Sequence, residues 1–177
     1  RDYRGGGRSS GRETIGRVAA GAIAVKMLSS LGVSFLTYTK SIGCIEITPE
    51  NFKVDEIDNN PLYMPDATAA KKAGIYLEEC IKNQNSSGGV CECIITGLPV
   101  GLGDPVFEKI DANLAKAIMS IGAVKGFEIG DGFEAAKATG LTNNDAFIIE
   151  DDIVKKTTNH SGGTLGGMTD GSPLILR

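Results

Sequence analysis

Arg1, Arg4, Arg8 and Arg12 recur every three or four residues across the opening of the chain, with Gly5-Gly6-Gly7, Ser9, Ser10 and Gly11 set between them. Guanidinium groups bind phosphate or carboxylate through paired hydrogen bonds. Glycine amides approach an anion with no side chain in the way, and a helix start adds free amides and a favourable dipole. The segment therefore has the chemistry to hold a phosphorylated, polyanionic ligand. A mobile basic arm ending in an ordinary helix cap would have the same composition. No G-x-x-x-x-G-K-[ST] run occurs, so this is not a Walker motif.

Three further segments could do chemistry. Asn159-His160-Ser161 holds the only histidine, followed by Gly162-Gly163 and Gly166-Gly167. It reads either as a loop wrapping a cofactor or as a tight turn with a solvent-facing histidine. One histidine makes neither a metal site nor a triad, and no G-x-S-x-G elbow is present. Glu128 and Asp131 flank glycines and could do acid–base work, although such residues more often cap turns. Cys91 and Cys93 form C-x-C in an apolar run, read as buried reduced thiols because no second Cys or His cluster completes a zinc site.

The elements that must position these groups follow from patterning. Ser10-x-x-Glu13 reads as a capping box opening a helix over 14–31, with Gly32 as its stop. Residues 33–39 and 44–47 alternate like strands, and 48–65 is an ordered surface loop. Asp66 caps a helix over 67–83. Residues 90–95 form a strand, 97–105 a glycine- and proline-punctuated loop, 106–121 a helix, 124–129 a strand and 134–138 a short helix. Strands and helices interleave without a tidy β-α-β repeat, so the fold class is α+β.

The 177 residues are 41% apolar, enough for one globular core. Net charge is −4, so no overall basic field attracts nucleic acid, and the local basic cluster suits a small anion. No apolar run has the length of a membrane span and no signal-peptide pattern opens the chain, which fits a reducing, cytoplasmic setting. The start at Arg1 and the apolar run ending at Arg177 read as interruptions of a longer protein, so 1–177 is expected to be a single domain portion truncated at both ends.

Four segments taken in order, residues 1–23, 97–107, 119–133 and 159–171, resemble chorismate synthase. They read RDYRGGGRSSGRET followed by RVAAGAI, then GLPVGLGDPVF, MSIGAVKGFEIGDGF and NHSGGTLGGMTDG. The resemblance covers roughly the middle half of a family member. It implies a β-α-β sandwich with helices packed between antiparallel sheets, assembled as a homotetramer. It also implies a lyase that converts 5-enolpyruvylshikimate 3-phosphate to chorismate, in aromatic amino acid biosynthesis, with reduced FMN and no net redox change. By motif position, Arg8, Ser9, Ser10, Gly122, Ala123 and Gly166 match flavin-contacting positions, and Arg12 matches an arginine near the substrate. The family's two catalytic histidines belong to motifs upstream of Arg1, so no catalytic residue is expected within the chain, and His160 is not one of the two. Gly11 stands where alanine is common, and Gly122 where asparagine or proline is more usual. A non-catalytic FMN- or phosphoanion-binding module is the alternative reading, because those histidines are absent from this chain.

Overall fold

The computed structural model describes residues 5–177, so Arg1 and Arg4 lie outside the described residues. Helix α1 spans Thr14–Ser29. It ends where expected: Gly32 takes φ +85°, and Val33 N reaches back to Leu28 O at 3.1 Å. This is a Schellman-type closure, which a side chain at Gly32 would strain. None of its residues is buried, and Ile15, Val18, Ile23, Met27 and Leu31 are exposed.

Strands β1 (Ser34–Ile42) and β2 (Ile45–Glu46) pair antiparallel about a turn at Gly43, with Ser41 opposite Glu46 and Ile42 opposite Ile45. Helix α2 covers Ala67–Lys82. Strand β3 (Gly89–Thr96) and a terminal strand β8 (Leu174–Leu176) complete a four-stranded sheet of order β2-β1-β3-β8. Helix α3 covers Ile110–Met119, and a single helical turn, α4, covers Gly140–Asn143. Two antiparallel hairpins separate α4 from β8: β4 (Phe147–Glu150) with β5 (Ile153–Lys156), and β6 (Thr164–Leu165) with β7 (Met168–Thr169). The mixture is α+β, as the sequence implied.

Two compact units divide the chain within β1 and β3. One runs to Phe35 and resumes over Ile94–Leu176; the other is Leu36–Cys93 with Arg177. In the second unit the apolar face of α2, Ala69, Ala70 and Ala73, packs with Met64 against Ile42, Ile45, Ile47 and Leu62. Buried Asp66 caps α2, its Oδ1 accepting from Thr68 N at 2.9 Å and Ala69 N at 3.0 Å. Its Oδ2 accepts from Thr48 N and so ties down the 48–65 loop. In the same unit Glu92 is buried and accepts from Tyr38 Oη, from Lys40 Nζ at 3.1 Å and from Arg177 Nη1 at 3.4 Å.

Several expectations need correction. The helix expected over 106–121 begins only at Ile110, because Asp104 and Glu108 exchange main-chain hydrogen bonds across a tight bridge. Residues 124–129 are not a strand; only Ile129 pairs, as an isolated bridge to Leu176. The helix expected over 134–138 is a 3-10 turn over Gly132–Lys137. Cys91 is exposed and Cys93 only partly covered, since the buried residue of this pleat is Glu92. All four cysteines are free thiols. Among the described residues, no helix is long and apolar enough to cross a membrane.

Candidate functional site

The described part of the arginine-rich opening is a pair of 3-10 turns that lead into α1. Arg8 and Ser9 lie in the first, Gly7–Ser9, and Ser9 Oγ donates to Gly6 O at 2.7 Å. Ser10 caps the second, Gly11–Glu13, accepting from Arg12 N at 3.4 Å. The expected capping box is thus reduced to one long bond on a 3-10 turn, one turn earlier than α1 itself. A 3-10 entry keeps the chain tight and leaves its first amides outside the α-helical ladder. Arg12 folds back, with Nη2 donating to Gly5 O at 3.0 Å. Arg8, Ser9 and Arg12 are exposed and Ser10 partly so. Two guanidinium groups therefore stand at the surface beside a helix start, an arrangement suited to an anion.

Arg17, one turn further along α1, donates from Nη2 to Ser120 O at 3.0 Å and lies 3.2 Å from Ser120 Oγ. Ser120 caps the end of α3. The next residues but one are Gly122 and Ala123, both exposed, with Ala123 at φ +70°. The opening turns and the Gly122–Ala123 turn are thus joined through a single arginine that the sequence reading did not single out. A helical cation one turn beyond Glu13 was the signal available.

Gly166 sits at the exposed tip of the β6–β7 hairpin with φ +61°. Its neighbour Gly167 accepts at its carbonyl from Ile110 N, 2.8 Å away, at the first residue of α3. Gly122 and Ala123 follow the last turn of the same helix. Ten helical residues span about 15 Å, so α3 holds Gly166 and the Gly122–Ala123 turn at its two ends.

The histidine segment leads directly into this hairpin. His160 Nδ1 lies 2.7 Å from Asp131 Oδ2, and Asp131 N donates to His160 O at 2.8 Å. Glu128 Oε1 accepts from Phe133 N at 3.2 Å, so Glu128 closes a turn, while Asp131 orients the imidazole. Gly130 and Gly162 pack backbone to backbone, and a Cβ on Gly162 would collide with Gly130 N and Cα. The glycine pair here permits close approach of two chain segments. Beside them is an open hollow of about 650 Å³ lined by Lys109, Asp111, Phe133, Asn143 and His160 among others; none of the motif-matched flavin positions lines it.

Beneath the hairpin lies a buried ionic cluster that patterning missed. Lys156 Nζ donates to Asp170 Oδ2 at 2.6 Å and Ser161 Oγ at 2.7 Å, and approaches Asp145 Oδ2 and Asn159 Oδ1 at 3.3 Å each. Asp145 also accepts from His160 N at 2.8 Å, Ser161 N at 2.9 Å and Thr158 Oγ1 at 2.6 Å. Burial alone raises the Asp145 pKa. The Thr158 hydroxyl and the Ser161 and His160 amides outweigh that and hold it far below the ordinary carboxylate range. Asp170 is likewise lowered, with burial outweighed by Lys156 and the Ser172 amide.

These features define an α+β protein with an exposed arginine- and serine-bearing helix entry and two glycine turns held at the ends of one helix. The family model for chorismate synthase matches residues 1–177, and the chain belongs to the chorismate synthase family. It is 82% identical over 177 residues to the chorismate synthase of Agathobacter rectalis, covering 100% of this chain and 48% of that protein. It is 61% identical to that of Lachnospira eligens, with the same coverage. A solved chorismate synthase crystal structure matches with a TM-score of 0.88 at 33% identity, over 95% of this chain and 55% of the other. The chain spans about half the length of the curated relatives it matches.

Proposed function

We propose that this chain forms part of the active site of a chorismate synthase, a carbon–oxygen lyase that eliminates phosphate and a ring proton from 5-enolpyruvylshikimate 3-phosphate to give chorismate. The observation that carries the reading is the family match over residues 1–177, joined to the exposed arginines at the entry to α1. Arg8, Ser9, Ser10, Gly122, Ala123 and Gly166 would hold FMN, and Arg12 the substrate. These residues fit a phosphorylated, planar cofactor. Arg8 supplies a cation, Ser9 and Ser10 supply hydroxyls, and nothing lies within 4 Å of where a Cβ on Gly122 or Gly166 would stand, so a flat group can approach the backbone there. When bound and reduced, FMN supplies electron density that helps the phosphate leave.

The chain's own part is to counter charge and to orient. Substrate and cofactor together carry two phosphates and two carboxylates, and desolvating that charge requires matched cations. The Arg12 guanidinium, now turned toward Gly5 O, would exchange that carbonyl for a substrate anion. The Arg17–Ser120 contact would keep the Gly122–Ala123 turn in register with Arg8 and Ser10. Proton transfer falls to histidines that family members carry in other segments; His160, turned to Asp131, takes no part. We place the chain as one portion of a domain in a cytoplasmic homotetramer.

The test is chorismate formation under anaerobic conditions with chemically reduced FMN. A family-length protein carrying this chain should turn over 5-enolpyruvylshikimate 3-phosphate; failure to do so with flavin bound overturns the reading. The 177-residue chain alone should give no turnover.

A further inference from the structure

We propose that Lys156 is a positioning residue for the Gly166 turn, its buried ammonium clamping both feet of the β6–β7 hairpin. The proposal rests on the flavin reading of Gly166 given above. Asn159 and Ser161 lie in the segment leading into β6, separated from it by Gly162 and Gly163, and Asp170 immediately follows β7, so the four acceptors of Lys156 Nζ come from both sides of the hairpin and from Asp145 just before β4. The clamp continues into the main chain: Asn159 Oδ1 accepts from Gly163 N at 2.8 Å, and Asp170 N donates to Gly163 O at 3.1 Å. From there to the tip only two residue pairs intervene, Thr164 with Thr169 and Leu165 with Met168.

A ladder that short does not hold an orientation by itself. Its direction is set by its feet, by the bond from Ile110 N to Gly167 O, and by Thr169, whose N donates to Leu102 O and whose O accepts from Gly101 N. The choice of side chain points the same way. The Lys156 side chain is 3% exposed, with those of Asp145 and Asp170 at 5% and 6%. Removing three charges from water is unfavourable unless each is paired and hydrogen-bonded, and an apolar side chain would fill the space without that cost. What the ammonium adds is direction, because its donors converge acceptors from three separate segments onto one point.

The experiment uses a family-length protein carrying Lys156→Gln or, as a milder change that keeps the fold, Asp170→Asn. FMN affinity is read by quenching of flavin fluorescence, with thermal unfolding and amide hydrogen exchange of Leu165–Met168 measured alongside. The expected result is about tenfold weaker FMN binding by the folded variants, the factor for one charged hydrogen bond, together with faster exchange at the tip and an altered spectrum of bound flavin at saturation. A lower unfolding temperature with unchanged FMN affinity and spectrum in both variants overturns the positioning role. No FMN binding by the unsubstituted protein overturns the flavin reading itself, and a Gly166→Val variant that binds FMN normally does the same for Gly166.

Discussion

Arg17 and Ser120 stand 103 residues apart in sequence, yet the Arg17 guanidinium meets both the carbonyl and the hydroxyl of Ser120. The contact fastens the entry of α1 to the end of α3. Arg17→Met should therefore act on geometry more than on stability: exposed contacts of this kind are worth about 0.5–1.5 kcal/mol. FMN affinity of a family-length protein should fall several-fold, and Ser120→Ala, which keeps the carbonyl acceptor, should fall less. Flavin fluorescence titration of both variants checks the order.

Arg12 offers a sharper test of the substrate role. Arg12→Ala removes a charged donor, and affinity for 5-enolpyruvylshikimate 3-phosphate should drop by about tenfold to a hundredfold, with FMN affinity less affected. Isothermal titration with the FMN-loaded protein measures it; an unchanged substrate affinity would end the assignment.

Asp66 should show in acid. Burial pushes its carboxyl pKa up, but the Ala69 and Thr48 amides, the Thr48 hydroxyl and the Asn51 side chain outweigh this and hold it below 3.8. A lowered folded pKa means that the native state binds the proton later than the unfolded chain. Its contribution is fully present above pH 3.8 and is lost as pH falls through the lower folded value. Asp66→Ala should cost about 1–3 kcal/mol at neutral pH, and the difference from the unsubstituted protein should shrink as pH falls below 3.8. Urea unfolding at a series of pH values reads both.

Tyr38 acts at the other end of the scale. Burial is the main cause that raises its pKa, and its hydrogen bond to Glu92 and the nearby carboxylate charge add to it, while Arg177 offsets part of the effect. A raised pKa stabilises below the unfolded value of 10.0 and is lost as pH rises through the folded one. Stability should therefore decline above about pH 10, and Tyr38→Phe should remove that decline at a neutral-pH cost of about 1–2 kcal/mol. Alkaline denaturation followed by far-UV circular dichroism distinguishes the two proteins.

Local signals were legible wherever one residue decided the geometry. Asp66 as a cap, Gly32 as a stop and the alternation around β1 and β3 all depend on neighbours within a turn. The sequence reading failed where the deciding partner was remote. Residues 106–109 carry helical composition, but the Asp104–Glu108 bridge claims their backbone. Cys91 and Cys93 share an apolar pleat whose buried residue is Glu92, because Lys40 and Arg177 converge there. No element was expected over residues 139–158, so the β4–β5 hairpin and Lys156 were missed; alternation there sends Lys155 to Glu150 at the surface and Lys156 into the buried cluster.

The sequence by itself determined the α+β class and the family, and it named the arginines and serines proposed to meet the anions, since these are written in residue types, their spacing and their order. Only the tertiary structure decided how they are held. Arg17 on Ser120, Gly166 at one end of α3 and Gly122 at the other, and Lys156 beneath the hairpin all join segments distant along the chain. Such contacts depend on where packing brings the backbone, and local propensity carries no record of that.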